Sequence, residues 1–204
     1  IFERLVSAGI DIIEVGFIDE RRFYDVDRSI FPNTASIRRT FENLDRGDSV
    51  IVGMIDYGTC SIEKLEEQKD SFLDGIRIIF KKEKMHQAIE FCKKVKEKGY
   101  KVFVQAVSIT SYDDGTFHEL MELVNELEPY AFSLVDTYGL LHKGDLQRYL
   151  QMADEALKPD IALGYHAHNN FQLAYSNCIE LLEHPLKRRM LVDGSLYGMG
   201  KSAG

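Results

Sequence analysis

Short apolar segments that alternate strictly with helical segments constrain the fold of this chain more than any other feature of its sequence. The apolar segments are rich in Val, Ile and Phe and mostly continuous, which is typical of strands buried on both faces of a parallel sheet. They cover residues 10–17, 50–55, 76–80, 102–109, 131–135, 161–165 and 189–192. After the first interval they recur about every 26–30 residues, which is the spacing of stacked βαβ units.

Helical segments with an apolar residue every three or four positions fill the intervals between the strands. The three clearest stripes run over residues 85–95, 117–127 and 146–157, and they are followed by Gly99, Pro129 and Pro159. Glycine and proline at those places are typical helix stops. The sequence also predicts a helix that ends at Gly9 and a short helix from the N-cap Ser61 to Lys69.

This order of elements predicts a (β/α)₈ TIM barrel that forms a single domain over residues 1–204. A complete barrel takes about 250 residues, so we expect seven of its eight strands here, with the first strand and the closing helix missing. The chain starts without Met and stops in a glycine-rich segment, so we expect an excerpt of a longer protein that is inactive alone. An open doubly wound sheet is the alternative, but no G-x-G-x-x-G follows a strand to support its dinucleotide-binding form.

Charge and composition exclude several classes of protein. The formal net charge of −8 argues against a chain whose main task is to hold nucleic acid or an anionic membrane. The apolar runs are too short to span a bilayer. Three widely spaced cysteines argue against a disulfide framework. We therefore expect a cytoplasmic protein with no nucleic-acid or membrane partner.

Polar residues at the C-terminal ends of the predicted strands are the functional candidates, because barrel enzymes carry their chemistry there. We expect them to form an acidic rim, although each could instead end a strand or face solvent, and we favour that reading for Asp56, Ser108 and Ser195. The candidates are Glu14, Asp56, Arg77, Gln105, Ser108, Asp136, Thr137, His166, His168, Asp193 and Ser195.

His166 and His168 form the strongest single motif. Side chains two residues apart on a strand point to the same face, so both imidazoles can bind one divalent cation. The alternative is a pair of loop histidines that hydrogen-bond to neighbours. The position of the pair at the end of a buried strand, directly before Asn169 and Asn170, favours the metal site.

The segment 193–204 contains Gly-Lys-Ser, which suggests a phosphate-binding loop. That motif needs a glycine where Ser195 stands, so we reject it. We expect instead a glycine-rich turn over a substrate, since Gly198 and Gly200 would allow close backbone approach.

Four segments together resemble the aldolase and hydroxymethylglutaryl-CoA-lyase-like family of metal-dependent (β/α)₈ barrels. They are residues 13–17 (IEVGF), 136–139 (DTYG), 164–170 (GYHAHNN) and 193–204. Within this family the chain is most similar to the 4-hydroxy-2-oxovalerate aldolases, whose histidine segment also contains His-Ala-His. The isopropylmalate and homocitrate synthases and hydroxymethylglutaryl-CoA lyase usually have Cys between the two histidines.

The resemblance implies that His166 and His168 bind a divalent metal, Mn or Mg, with Zn or Co as alternatives. It also implies that the metal stabilises the enolate formed when a 4-hydroxy-2-oxo acid is cleaved to pyruvate and an aldehyde. The family's aspartate ligand and catalytic arginine belong to the first strand. We predict catalytic roles for Glu14, Asp136 and Thr137, with a rim hydrogen-bond network as the alternative. We predict substrate contacts for Arg77, Gln105, Asp193, Gly198 and Gly200.

Beyond the 2-oxo acid substrate, the expected partners are a second copy of the chain or an aldehyde dehydrogenase. The alternative activity is that of a Claisen-type acyl-CoA synthase or lyase, such as isopropylmalate synthase or hydroxymethylglutaryl-CoA lyase. A non-catalytic barrel used for binding is a further alternative. A zinc hydrolase is disfavoured, because there the two histidines normally lie on the first strand.

Overall fold

The computed structural model of the protein describes residues 1–186 and 188–195. The strands are β1 (Ile12–Ile18), β2 (Ile30–Phe31), β3 (Val50–Asp56), β4 (Gly75–Phe80), β5 (Lys101–Ala106), β6 (Ala131–Asp136), β7 (Ala162–Ala167) and β8 (Met190–Val192). The helices are α1 (Phe2–Ser7), α2 (Thr34–Phe41), α3 (Met85–Glu97), α4 (Asp114–Leu127), α5 (Lys143–Ala156) and α6 (Ala174–Glu183).

The strands form one parallel sheet in the order β2-β1-β3-β4-β5-β6-β7-β8, with helices between most successive strands. The predicted α/β class is therefore confirmed. Within the described residues the sheet is open, because β2 and β8 each have one neighbouring strand. All seven predicted strands are present, and the structure adds β2, whose two residues are too few to give a periodic signal.

A bulge in β1 explains why β2 pairs there. The register between β1 and β3 shifts between Glu14 and Phe17, and Gly16 within the bulge has a φ of +141°. A Cβ at Gly16 would lie 2.1 Å from the carbonyl oxygen of Ser29. That carbonyl accepts a hydrogen bond from the backbone N–H of Phe17. Only glycine fits this close approach, and it lets the chain before β2 align with β1.

The predicted helix from Ser61 to Lys69 is wrong. The structure has two separate 3₁₀ turns there, Ile62–Lys64 and Gln68–Asp70. Ser61 does not cap a helix, because its hydroxyl donates to a carboxylate oxygen of Glu20 at 3.0 Å. Between the turns, the backbone N–H of Glu66 donates to the Thr34 hydroxyl at 2.9 Å. This tertiary hydrogen bond replaces the one that a continuous helix would make.

Two other boundaries differ from the predicted ones. The strand predicted over residues 102–109 ends at Ala106, because Ser108 adopts a left-handed conformation with a φ of +55° and starts a 3₁₀ turn. The strand predicted over residues 10–17 runs on to Ile18, so Glu14 is its third residue and not a strand-end residue.

The chain divides into two compact units. The first contains residues 1–79 and 90–103, and its core includes the aromatic side chains of Phe2, Phe31, Phe41 and Phe72. The second contains residues 80–89 and the described residues from 104 to 195, and Phe117 packs there against Phe132 and Tyr149. The single domain expected from the sequence stays a prediction. No helix among the described residues is both long enough and apolar enough to cross a membrane.

Candidate functional site

The two histidines of the His-Ala-His motif lie side by side in the second unit. His166 is in β7 and His168 follows the last residue of that strand. Their ring centroids are 5.1 Å apart and their planes are nearly perpendicular. Both residues are partly exposed, so a small ligand can reach the rings from solvent.

Each histidine uses Nδ1 for a hydrogen bond to an oxygen acceptor. His166 Nδ1 lies 2.6 Å from a carboxylate oxygen of Asp193, and His168 Nδ1 lies 2.9 Å from the backbone carbonyl oxygen of Asp136. A carbonyl oxygen can only accept, so Nδ1 of His168 carries the proton, and the Asp193 carboxylate favours the same form of His166. In the neutral rings the lone pairs are then on the two Nε2 atoms. An imidazole whose other nitrogen donates to a carboxylate or carbonyl is the usual arrangement of a metal-binding histidine.

Asp136, at the end of β6, is almost completely buried. Its carboxylate accepts the backbone N–H groups of Leu140 and Leu141 at 2.9 and 3.0 Å. These bonds hold the loop that follows β6, while the backbone carbonyl of the same residue holds His168. The geometry therefore gives Asp136 the network role that the sequence analysis kept as the alternative, and its predicted catalytic role stays a prediction.

The loop after β6 packs directly on the histidine segment at Gly139. This glycine has a φ of +62°, and a Cβ there would lie 2.6 Å from both the carbonyl oxygen of His168 and the backbone nitrogen of Asn170. The backbone N–H of Phe171 also donates to the Gly139 carbonyl at 3.3 Å. The DTYG and HAHNN segments are thus in backbone contact, and the missing side chain of Gly139 makes that contact possible.

Two more predicted residues make polar contacts in the second unit. The Thr137 hydroxyl accepts the backbone N–H of Ser108 at 2.7 Å. The side-chain amide of Gln105, which is 1 % exposed, donates to the Ser133 hydroxyl at 3.1 Å. Ser133 was not predicted; its hydroxyl lies where Gly164 leaves room, because a Cβ at Gly164 would be 2.3 Å away from it.

In the first unit the predicted residues Glu14 and Arg77 form an ion pair. Arg77 Nη1 lies 2.7 Å from a carboxylate oxygen of Glu14, and the side chains are 10 % and 26 % exposed. Both residues are the third of their strands, β1 and β4. The catalytic role predicted for Glu14 and the substrate contact predicted for Arg77 stay predictions.

Sequence reasoning missed Asp19, the residue directly after β1. Its carboxylate accepts three hydrogen bonds from Arg21, from Nε and Nη2 at 2.8 Å and from the backbone N–H at 3.1 Å. These bonds lower the pKa of Asp19. The signal in the sequence was the extension of the apolar run to Ile18, which makes Asp19 the first residue after the strand.

We expect Arg21→Leu to raise the pKa of Asp19, because the substitution removes the guanidinium that stabilises the carboxylate. A carboxyl group with a lowered pKa stabilises the fold above its unfolded pKa, and this contribution is lost as the pH falls through the folded pKa. Carbon-detected NMR titration of the Asp19 carboxyl group measures the shift. Arg22→Leu is the control, since Arg22 Nε is 3.7 Å from Asp19 and should matter less. Equal shifts in the two variants would contradict this assignment.

The three cysteines are unpaired thiols. Burial raises the pKa of the Cys60 thiol to about 12, and burial also raises the pKa values of Cys92 and Cys178. A thiol with a raised pKa is a poor nucleophile and a poor metal ligand near neutral pH. The histidines are therefore the better donors in this chain.

The two histidines alone supply too few ligands for a complete cation site. Among residues 1–186 and 188–195, no three His, Cys, Asp or Glu side chains are grouped so that they could hold a metal ion. The pair nevertheless fits a divalent metal by its chemistry, with two imidazoles whose Nδ1 atoms are already engaged. The predicted contacts of Gly198 and Gly200 lie outside the described residues. Asp56 and Ser195 are exposed.

The HMGL-like family profile matches residues 77–204, more than half of the chain. The chain is a member of the HMGL-like family. The resemblance inferred from the four sequence segments is thereby confirmed, and the family match includes the β6 loop and the histidine segment of β7.

Individual relatives of this HMGL-like chain carry different names. Oxaloacetate decarboxylase of Mycobacterium tuberculosis is 26 % identical over 65 % of the chain, and 4-hydroxy-2-oxovalerate aldolase of Shewanella woodyi is 30 % identical over 42 % of it. The aligned parts are 38 % and 25 % of the lengths of those relatives. The chain thus matches well under half of each curated relative.

Among solved structures, the HMG-CoA lyase of Bacillus subtilis has a similar fold. Its TM-score is 0.72 over 97 % of this chain and 68 % of that one, at 14 % sequence identity. At this identity the similarity concerns the fold alone. It supports the (β/α)₈ barrel type that was predicted from the alternation of strands and helices.

Proposed function

We propose that this HMGL-like chain belongs to a divalent-metal-dependent carbon–carbon lyase that cleaves a 4-hydroxy-2-oxo acid to pyruvate and an aldehyde. The observation that carries the proposal is the pair of adjacent imidazoles, each with Nδ1 bonded to an oxygen acceptor. Relatives named 4-hydroxy-2-oxovalerate aldolase and oxaloacetate decarboxylase support it, because both reactions break the bond between C3 and C4 of a 2-oxo acid.

His166 and His168 would hold the cation through Nε2. Mn²⁺ and Mg²⁺ are the proposed metals, and Zn²⁺ and Co²⁺ are the alternatives. Such a cation supplies Lewis-acid chemistry, since it withdraws electron density from the 2-oxo group of a bound substrate. Asp193 and the carbonyl of Asp136 orient the two rings, so the ligands are set before the substrate arrives.

Thr137 is the proposed contact for the substrate carboxylate. Its oxygen accepts the N–H of Ser108, which fixes the position of the side chain. The hydroxyl proton is then directed away from Ser108 and can be donated to a substrate oxygen. Ser108 reaches this position through a left-handed backbone, a conformation that costs about 1–2 kcal/mol in a residue other than glycine. Strain of this kind is common at functional sites.

A direct test is the release of pyruvate by the full protein from a series of 4-hydroxy-2-oxo acids and from oxaloacetate, with Mn²⁺ present and with or without an acyl-CoA. We expect equal amounts of pyruvate and aldehyde, and we expect EDTA to stop the reaction. Pyruvate without an aldehyde, formed from oxaloacetate only, would assign decarboxylation instead. Turnover that requires an acyl-CoA would favour the Claisen-type alternative, and no turnover of any of these compounds would refute the lyase.

We further propose that the enzyme works in the cytoplasm, which the three unpaired thiols support. The proposed partner is a second copy of the chain or a dehydrogenase. A dehydrogenase would consume the aldehyde, which is reactive when free.

A further inference from the structure

A closed ring of hydrogen bonds in the second unit includes Tyr165, the residue before His166. We name it the Asp136 ring, after its members Asp136, Leu141, Asn177 and Tyr165. The backbone N–H of Leu141 donates to Asp136 Oδ2 at 3.0 Å, and Asn177 Nδ2 donates to the Leu141 carbonyl at 2.9 Å. The same amide nitrogen donates to Tyr165 Oη at 3.2 Å. Tyr165 Oη closes the ring with a longer bond of 3.5 Å to Asp136 Oδ2.

The ring is completely internal. Its three polar side chains are between 1 % and 3 % exposed. Hydrogen bonds in such a setting are not exchanged for bonds to water, so losing one partner leaves a buried polar atom unpaired. The ring therefore fixes the relative positions of the end of β6, the loop after it, β7 and α6.

Asp136 connects this ring to His168. Its carboxylate is in the ring, and its backbone carbonyl accepts the Nδ1 proton of His168 at 2.9 Å. The carboxylate and the carbonyl belong to the same residue, and the carbonyl also accepts the backbone N–H of Gly139 at 3.1 Å. The ring and this turn therefore act together to limit the direction of the carbonyl. Among the residues that the structure describes, Asn177 and the Tyr165 hydroxyl form no hydrogen bond with either imidazole, so they reach His168 through Asp136.

We propose that Asn177 is a positioning residue for His168. By donating to both Leu141 and Tyr165 it keeps the Asp136 carbonyl aimed at Nδ1, and the neutral ring of His168 is held in the form whose lone pair is on Nε2. Asparagine suits this place because its amide group has two hydrogens on one nitrogen. Leucine has a similar volume and no donor. The positioning of His168 does not depend on the proposed function. Only its consequence, that His168 is ready to bind a metal ion, rests on that function.

The test is the tautomer of His168 in the metal-free full protein, read from the ¹⁵N chemical shifts of the imidazole at a pH where the ring is neutral. We expect the wild type to carry its proton on Nδ1. Asn177→Leu should move a large part of the His168 population to the Nε2-protonated form and leave His166, which is held by Asp193, unchanged. Tyr165→Phe is the milder second variant and carries the test if Asn177→Leu does not fold.

Two matched controls separate positioning from loss of stability. Asn125→Leu removes an amide that donates to the Ala156 carbonyl at 2.8 Å, and Tyr149→Phe removes a buried hydroxyl that donates to the Tyr112 carbonyl at 2.9 Å. Both lie in the second unit outside the ring, so they should leave the His168 tautomer unchanged. A His168 tautomer that is unchanged in a folded ring variant, or changed equally in the controls, would overturn the proposal.

A second measurement distinguishes this inference from the proposed function. Titration with Mn²⁺ should show binding about 10–100-fold weaker in Asn177→Leu than in the wild type, the usual cost of losing a group that orients a ligand. If the wild type binds no divalent cation, the proposed function fails, while the tautomer measurement still decides whether Asn177 positions His168.

Discussion

Replacing His168 with alanine should lower the affinity for Mn²⁺ by at least about 100-fold, because loss of a ligand costs more than loss of the group that orients it. Cleavage of the 4-hydroxy-2-oxo acid should fall by about three orders of magnitude, which corresponds to several kcal/mol of transition-state stabilisation. Calorimetric titration measures the first effect, and pyruvate release at saturating Mn²⁺ measures the second. His166→Ala should behave in the same way, since its Nδ1 is engaged in the same manner.

His118→Ala is the matched control for both histidine variants. His118 lies in α4 of the same unit and is exposed, so its loss should leave Mn²⁺ affinity and turnover unchanged. The histidine pair would be excluded as the metal site if His168→Ala kept wild-type affinity. An equal loss in His118→Ala would show that the effect came from a general property of the chain.

Gly139→Ala should destabilise the protein by about 2–4 kcal/mol, with both strain and collision contributing. The φ of +62° is costly for any residue with a Cβ, and here that Cβ would lie 2.6 Å from two backbone atoms of the histidine segment. Backbone cannot move aside like the end of a flexible side chain, so the segment 168–170 must shift. We expect weaker Mn²⁺ binding in addition to the loss of stability, as measured by urea denaturation and by titration of the remaining folded protein.

Gly144→Ala is the control for this substitution. Gly144 lies in α5, a Cβ there would meet no atom within 4 Å, and its φ is not positive. Alanine should stabilise this helix by up to about 1 kcal/mol. If Gly139→Ala were as harmless as Gly144→Ala, the close contact between the β6 loop and the histidine segment would not be a constraint on the site.

Much of the fold could be predicted from sequence because its signals are local. Buried parallel strands are continuous apolar runs, and the helices carry apolar stripes that end at glycine or proline, as α3 does before Gly99. The helix predicted from Ser61 failed for a nonlocal reason: Thr34 and Glu20 take the hydrogen bonds on which a helix there would depend. The two-residue strand β2 depends on a bulge at Gly16, and a bulge leaves no periodic pattern of apolar residues in the sequence.

At the candidate site too, local features could be predicted from the sequence and nonlocal contacts could not. The spacing of His166 and His168 predicted two rings on one face, and the structure places them next to each other. What holds the rings could not be read from spacing. The sequence predicted a catalytic role for Asp136, with a rim hydrogen-bond network as the alternative, but not its contact with His168. Asn177 stands within a helix, 11 residues after His166. A polar residue on the inner face of a helix was the one available sign of a buried network.

The alternation of side chains along β7 separates two kinds of constraint on the same few residues. His166 and His168 point to one face of the sheet, while Tyr165 lies on the other and is bonded to α6. Under the proposed function, substitutions on the first face would change which ion or substrate is accepted, while the buried hydrogen bond between Tyr165 and α6 on the second face would stay in place. In such a strand, evolution or protein engineering can change the chemistry of one face while the scaffold on the other face stays the same.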